Sequence, residues 1–140
     1  MRDSRTGPPR ILVVDDNSTT RQTFRHMLVA NGYLVLAAPT LAAGLDEASP
    51  DSLDAILLDF HLPVADGLEC LRRLRNTDQW RATPVAIITG DYFLDEDVAG
   101  QLNHLDARIH FKPLWEDDIV RIVRELLGQC APSGSLRGQG

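Results

Sequence analysis

Five short apolar runs, each followed by an amphipathic segment, constrain the fold of this chain more than any other feature of its sequence. The runs have the length and the β-rich content of strands, and four are nearly continuous, as is typical of strands covered on both faces. The predicted strands are Ile11–Val14, Leu34–Ala37, Ala55–Leu58, Val85–Ile88 and the weaker Ala107–Phe111. The predicted helices, assigned from apolar residues at helical spacing, lie at about Thr19–Ala30, Leu41–Ala48, Leu68–Thr77, Glu96–Leu105 and Trp115–Leu127.

Five strand–helix units in a row predict a single α/β domain in which helices cover both faces of a parallel sheet. A doubly wound (βα)5 arrangement with the flavodoxin-like strand order 2-1-3-4-5 is the expected topology. We expect this domain over residues 10–128, with flexible tails at residues 1–9 and 129–140, which are rich in Gly, Pro, Ser and Arg.

The overall composition argues against several classes of function. A formal net charge of −6 does not suit direct binding to nucleic acid, which requires a basic face. No apolar run is long enough to span a membrane, and the polar N-terminus lacks the pattern of a signal peptide, so we expect a cytoplasmic location. The two cysteines, Cys70 and Cys130, lie too far apart for a zinc motif.

Chemically active side chains follow four of the five predicted strands. Ligands of doubly wound sheets bind outside the carboxyl ends of the strands, where the strand order reverses. The residues at these ends are Asp15, Asp16, Asp59, Thr89, Gly90, Lys112 and Pro113. Each one alone has an ordinary explanation as a helix cap, a turn residue or a solvated lysine. Together, however, they indicate a ligand site at one edge of the sheet.

The residue types in this set fit a site that accepts a phosphoryl group. Three carboxylates repel one another unless a cation lies between them, and Mg²⁺ prefers carboxylate and phosphate oxygens. Asp59 would then attack phosphorus as the nucleophile. Lys112, the only lysine of the chain, and Thr89 would stabilise the transferred oxygens, and Gly90 would leave room for them.

Four motifs occur in a fixed order along the chain. They are Val-Val-Asp15-Asp16-Asn17, Leu-Leu-Asp59-Phe-His-Leu-Pro63 with Asp66-Gly67, Pro84-Val-Ala-Ile-Ile-Thr89-Gly90, and Phe-Lys112-Pro113. In this order and at these spacings, the set resembles the response-regulator receiver domain of two-component signalling. The resemblance covers about Arg10 to Leu127, which is nearly the whole predicted domain.

The resemblance implies a role for each residue of the set. Asp59 would be the phosphoacceptor, and Mg²⁺ would be bound by Asp59, Asp15, Asp16 and the backbone carbonyl of His61. Thr89 and Lys112 would bind the phosphoryl group beside Gly90, and the Lys112–Pro113 peptide bond would be cis. The phosphoryl donor would be a phosphohistidine of a sensor histidine kinase or a histidine phosphotransfer protein. The domain would be a regulatory phosphoacceptor rather than an enzyme, and an unidentified downstream protein would recognise its switched surface.

One position departs from the family pattern, and two further positions are unusual. The family often has an aromatic residue three positions before the lysine, where this chain has Ile109, so the aromatic rotamer switch is absent there. Tyr92 and Phe93 are candidates to replace it as mobile aromatics; the alternative is that they simply cover a helix end. His61 and Asp91 occupy positions that in the family flank the phosphoryl group and influence how fast water removes it. The His61 side chain would either steer water there or simply face solvent, and solvent exposure is the preferred interpretation.

Alternative functions remain open at this point. A haloacid-dehalogenase-type phosphatase would have a second Asp two positions after its nucleophile, whereas Asp15 is followed there by Asn17. A flavin-binding module is disfavoured because Asp15 and Asp16 would repel the flavin phosphate. A degenerate receiver that acts only as a binding module is disfavoured because all the acceptor residues are present.

Within a receiver, we expect the switched surface at the fourth helix, fifth strand and fifth helix, since Gly100 weakens the fourth helix.

Overall fold

The computed structural model describes residues 7–48, 53–62 and 65–128. In these ranges the chain forms a five-stranded parallel sheet that is covered by five helices. The elements are β1 (Arg10–Val14), α1 (Ser18–Ala30), β2 (Leu34–Ala38), α2 (Leu41–Ala48), β3 (Ala55–Asp59), α3 (Gly67–Arg75), β4 (Val85–Thr89), α4 (Glu96–His104), β5 (Ala107–Phe111) and α5 (Glu116–Leu126). The strand order is β2-β1-β3-β4-β5, so the predicted doubly wound architecture is confirmed. Residues 1–6 and 129–140 of the expected tails lie outside the described ranges, as do Pro63 and Cys130.

The register of the central strands brings their carboxyl ends to one edge of the sheet. Val14 at the end of β1 is paired with Leu58 of β3, one residue before the strand ends at Asp59. Thr89 at the end of β4 is paired with Phe111 at the end of β5. All residues of β3 and β4 are buried, as their continuous apolar sequence requires.

The edge strand β2 is less covered than its sequence predicts. Its apolar run indicated a strand covered on both faces, but Leu34 is 47% exposed and the next three residues are half-buried. That prediction was wrong because β2 has a neighbour on one side only, and an apolar run does not reveal a strand's place in the sheet.

Alternating residues of each strand feed two separate apolar layers. On one face, Leu12 and Val14 of β1 pack with the buried residues of α2, α3 and α4. On the other face, Ile11 and Val13 pack with α1 and α5. The last helix buries one apolar stripe, with Ile119, Ile122 and Val123 fully buried and Leu126 and Leu127 packed at its margin.

Local capping explains where the helices next to the site begin and end. The side chain of Asn17 accepts a hydrogen bond from the backbone of Thr20 at the start of α1, and Asp66 accepts one from Glu69 at the start of α3, each at 2.9 Å. The α1 helix stops before Gly32, which has a φ of 94°. The α3 helix ends at Arg75, two residues earlier than predicted.

Among the described residues, no helix is long and apolar enough to cross a membrane.

Candidate functional site

Three carboxylates meet at the carboxyl edge of the sheet. Asp15 follows β1, Asp59 ends β3, and one oxygen from each of Asp15, Asp16 and Asp59 lies within 4.8 Å of the others. Asp15 and Asp59 are buried, at 2% and 7% exposure, whereas Asp16 is exposed. Because hard cations bind carboxylate oxygens, this arrangement is able to hold a divalent ion.

Lys112, which follows β5, reaches across the edge to the same carboxylates. Its Nζ lies 3.1 Å from Asp59 Oδ1 and 3.3 Å from Asp15 Oδ2. Its backbone N–H donates to the carbonyl of Thr89 at 2.8 Å, and the Lys112–Pro113 peptide bond is cis. A single ammonium group therefore faces two buried carboxylates.

The pKa values of Asp59 and Lys112 are both raised, for different reasons. Burial, followed by the negative charge of Asp15, raises the pKa of Asp59 even though the hydrogen bond from Lys112 opposes this. Burial also disfavours the charged form of Lys112, but its hydrogen bond to Asp59 and the charges of Asp59 and Asp15 raise its pKa overall. The site would therefore be stabilised by additional positive charge.

Thr89 ends β4 at the same edge of the sheet, and Gly90 follows it. Thr89 is fully buried, and its Oγ1 accepts a hydrogen bond from the backbone N–H of Asp91 at 3.0 Å. A Cβ atom added at Gly90 would meet no atom within 4 Å. The protein therefore leaves open space beside the last residue of β4.

The peptide of Asp15 is held by α1. Arg21 Nη1 donates to the backbone carbonyl of Asp15 at 2.7 Å, and the backbone N–H of Asn17 donates to Asp15 Oδ1 at 2.9 Å. Sequence reasoning missed Arg21, because an arginine in the second turn of an amphipathic helix is usually part of the solvated face.

His61 and Asp91, which the sequence singled out separately, contact each other. Nε2 of His61 lies 3.6 Å from Oδ2 of Asp91, and their side chains are 60% and 39% exposed. The His61 ring also packs edge-on against Phe60, with 4.9 Å between ring centroids. The contact joins the loops that follow β3 and β4, next to Asp59 and Thr89.

The aromatic candidates differ from one another in their surroundings. Ile109, which stands at the position of the family's aromatic residue, is partly buried in the apolar layer shared with α4. Phe93 is 94% exposed. Tyr92, by contrast, stacks on Phe111 with 5.4 Å between ring centroids, and its phenol donates a hydrogen bond to the carbonyl of Lys112.

This fold and this cluster match a known class of signalling module. The model of the family described as the response regulator receiver domain matches residues 11–124, which is most of the chain. The chain therefore belongs to the response-regulator receiver domain family of two-component signalling.

Curated relatives carry the same family name. The response regulator MprA of Mycolicibacterium vanbaalenii is 36% identical over 125 residues, which cover 89% of this chain and 53% of that protein. MprA of Mycobacterium bovis BCG is 36% identical over 123 residues, or 88% of this chain and 52% of that protein. The chain thus spans about half the length of these curated relatives.

Solved structures share the fold. The chemotaxis protein CheY4 of Vibrio cholerae matches with a TM-score of 0.78 and 24% identity, over 86% of this chain and all of that one (100%). The receiver domain of the sensor histidine kinase PA1611 from Pseudomonas aeruginosa matches with a TM-score of 0.74 and 28% identity, over 87% of this chain and 99% of that one. That receiver domain has a magnesium ion coordinated in its active site cleft.

Proposed function

We propose that this domain accepts a phosphoryl group on Asp59 from a phosphohistidine of a sensor histidine kinase or a histidine phosphotransfer protein, in a reaction that requires Mg²⁺. One observation carries the proposal. The buried carboxylate of Asp59 lies beside two further carboxylates and 3.1 Å from the only lysine of the chain. In a purely structural ion pair, the positive partner would keep the pKa of the carboxyl group low. Burial and the charge of Asp15 instead raise the pKa of Asp59.

The donor set fits Mg²⁺. Asp15, Asp16 and Asp59 would hold the ion through carboxylate oxygens, and the backbone carbonyl of His61 would supply a further oxygen. When bound, Mg²⁺ supplies positive charge that stabilises the oxygens of a phosphoryl group. The magnesium ion in the PA1611 receiver domain supports this assignment.

In the transfer step, an oxygen of Asp59 attacks phosphorus and forms a P–O bond while the P–N bond to the donor imidazole breaks. The electron pair of the P–N bond stays on the imidazole nitrogen, which takes up a proton as it leaves. Lys112 Nζ, already within 3.1 Å of Asp59 Oδ1, stabilises charge on the phosphoryl oxygens. The hydroxyl of Thr89 donates to one of these oxygens, and Gly90 leaves space for the group.

A reaction with a small phosphodonor tests the proposal. We expect incubation with acetyl phosphate and Mg²⁺ to give one phosphoryl adduct by intact mass, and Asp59→Asn to give none. Asp78→Asn is the matched control, because the side chain of Asp78 is 91% exposed and should leave the adduct unchanged.

Two outcomes would favour the alternatives. An absent adduct on the wild-type protein, together with Mg²⁺ binding measured by calorimetry, would indicate a degenerate receiver that acts only as a binding module. Continuous release of phosphate from an added phosphate ester would instead indicate a phosphatase.

We also propose that His61 and Asp91 together set the lifetime of the aspartyl phosphate. Their side chains meet between the loops that follow Asp59 and Thr89, and we expect the loss of this contact to admit water to the phosphoryl group. We expect His61→Ala and Asp91→Ala each to shorten the lifetime by up to about tenfold, or ~1.4 kcal/mol in the barrier to hydrolysis. The double variant should resemble the single ones, since both remove the same contact.

The measurement is the decay of the intact-mass adduct after the donor is removed. His104→Ala, a change of an exposed histidine on α4, is the control and should not alter the decay. Equal lifetimes in all variants would exclude a kinetic role for the pair.

Two broader assignments complete the proposal. Residues 10–128 form the receiver unit, because the secondary structure runs from Arg10 to Leu126. The downstream protein recognises the surface of α4, β5 and α5, because α4 has only one buried residue, Leu102, and Gly100 weakens this helix.

A further inference from the structure

Tyr92 connects the loop after β4 to the end of β5. The residue is 61% exposed, yet both its hydroxyl group and its ring contact other residues. The phenol donates to the backbone carbonyl of Lys112, and the ring stacks on Phe111 at an angle of 19°. Tyr92 therefore contacts the two consecutive residues at which β5 ends and the Lys112 turn begins.

The Lys112 peptide is held on both sides by one short segment. Its N–H donates to the carbonyl of Thr89 at 2.8 Å, and its carbonyl accepts from Tyr92. The segment 89–92 therefore positions the Lys112 backbone, from which the side chain extends towards Asp59.

The conformation of that segment depends on the hydroxyl of Thr89. Thr89 Oγ1 accepts the backbone N–H of Asp91 at 3.0 Å, and Asp91 Oδ1 in turn accepts the N–H of Phe93 at 2.9 Å. A phosphoryl group on Asp59 offers a charged acceptor for the same hydroxyl. A rotation of Thr89 towards it would release the N–H of Asp91 and alter the loop that carries Tyr92.

We propose that Tyr92 is the coupling residue of this receiver domain: it positions the Lys112 peptide and transmits the state of Thr89 to the exposed ring pair Tyr92–Phe111. The proposal rests on the proposed phosphorylation of Asp59. Phe111 is 40% exposed, so a displaced Tyr92 ring changes the apolar surface at the end of β5. Ile109 has no polar side-chain atom and cannot form an equivalent link to the Lys112 backbone.

Fluorine NMR tests the proposal directly, because the chain has only two tyrosines. Protein labelled with 3-fluorotyrosine should give one signal for Tyr92 and one for Tyr33, which precedes β2 at the opposite edge of the sheet. On addition of Mg²⁺ and beryllium fluoride, a phosphoryl mimic, we expect the Tyr92 signal to shift and the Tyr33 signal to stay. Thr89→Ser should retain the shift and Thr89→Ala should lose it.

The mimic contains fluorine, so the same spectrum reports whether it is bound. A bound fluoroberyllate signal with an unmoved Tyr92 signal would overturn the coupling role and leave the proposed function intact. If no fluoroberyllate signal appeared on the wild-type protein, both the proposed function and this inference would be removed.

A second label follows the surface rather than Tyr92. With 4-fluorophenylalanine, the signal of Phe111, assigned from Phe111→Leu, should respond to the mimic in the wild-type protein. With enough mimic added that the bound fluoroberyllate signal shows the site to be filled, Tyr92→Leu should abolish that response. Phe93→Leu should preserve it, because Phe93 is 94% exposed. An unchanged response of Phe111 in Tyr92→Leu would contradict the proposal even if Thr89→Ala bound the mimic too weakly to be informative.

Discussion

The role proposed for Asp59 conflicts with the stability of the fold. Its carboxylate is buried at the end of a central strand, beside a second buried carboxylate, and its pKa is raised chiefly by burial. In the absence of a metal ion, the charged form therefore costs folding free energy. Such local destabilisation is common where a site is built for reactivity.

This conflict makes the effect of removing the charge predictable. We expect Asp59→Asn to raise the thermal midpoint of the metal-free protein at neutral pH. Mg²⁺ should stabilise the wild-type protein by about 1 kcal/mol at roughly five times its Kd, through binding to the native state alone, and should stabilise the variant much less. Differential scanning calorimetry with and without Mg²⁺ measures both effects.

Asp54 provides the matched comparison. It is also buried, at 8% exposure, but its Oδ2 accepts the backbone N–H of Arg10 at 2.7 Å. Asp54→Asn should therefore not stabilise the protein. A lower midpoint for Asp59→Asn would indicate that Lys112 compensates the Asp59 charge fully.

At the level of single elements, two glycines in helices have opposite surroundings. A Cβ atom at Gly100 in α4 would meet nothing within 4 Å, whereas one at Gly44 in α2 would lie 2.7 Å from Cδ1 of the fully buried Leu12. Gly100 therefore only lowers the helix propensity of α4, whereas Gly44 allows α2 to pack closely against β1.

These surroundings predict effects of opposite sign. We expect Gly100→Ala to stabilise the protein by about 0.5–1 kcal/mol, because alanine favours the helix and restricts the unfolded chain. Gly44→Ala should destabilise it by about 1–3 kcal/mol through overpacking against Leu12. Urea unfolding of the two variants measures both values, and destabilisation by Gly100→Ala would show that α4 is not simply weakened by its glycine.

Some of these features could be predicted from the sequence and others could not. The proximity of Asp15, Asp59 and Lys112 was predictable, because the carboxyl ends of parallel strands lie at a common edge. The exposure of β2 could not, because a run of apolar residues looks the same in an edge strand as in a central one. The contacts of Tyr92 with Lys112 and of His61 with Asp91 depend on loop conformations, for which residue spacing has no equivalent rule.

For the whole molecule, one histidine couples the packing of the sheet to pH. His110 lies on β5, next to Ile109, so its side chain points to the opposite face, towards α5. Its Nε2 is buried and has no hydrogen-bond partner among the described residues. Burial lowers the pKa of His110; Arg121 and Arg108 act in the same direction, and Glu125 opposes them.

The sign of the pH dependence follows from this shift. Because the pKa is lower in the folded than in the unfolded state, the unfolded state binds more protons near the usual histidine value of about 6.5. The contribution of His110 to stability should be fully present above that pH and lost as the pH falls through its lower folded value. We expect His110→Leu to reduce the loss of unfolding free energy between about pH 7 and pH 5.

Urea unfolding at several pH values gives this comparison. His26→Gln serves as the control for the replacement of a histidine, since His26 is exposed on α1 and lies away from both ends of that helix. Parallel pH profiles of the wild-type protein and His110→Leu would assign the acid sensitivity to other groups.

The lysine beside Asp59 has a practical consequence for anyone handling this protein. Reagents that acylate ε-amines have a single side-chain target in this chain, and that target lies 29% exposed between two carboxylates. Amine coupling to a sensor chip would therefore attach the chain through its amino terminus or modify the lysine beside Asp59. Conversely, the rate at which an amine-directed probe modifies the protein becomes a footprint of that one position, read without any mutation.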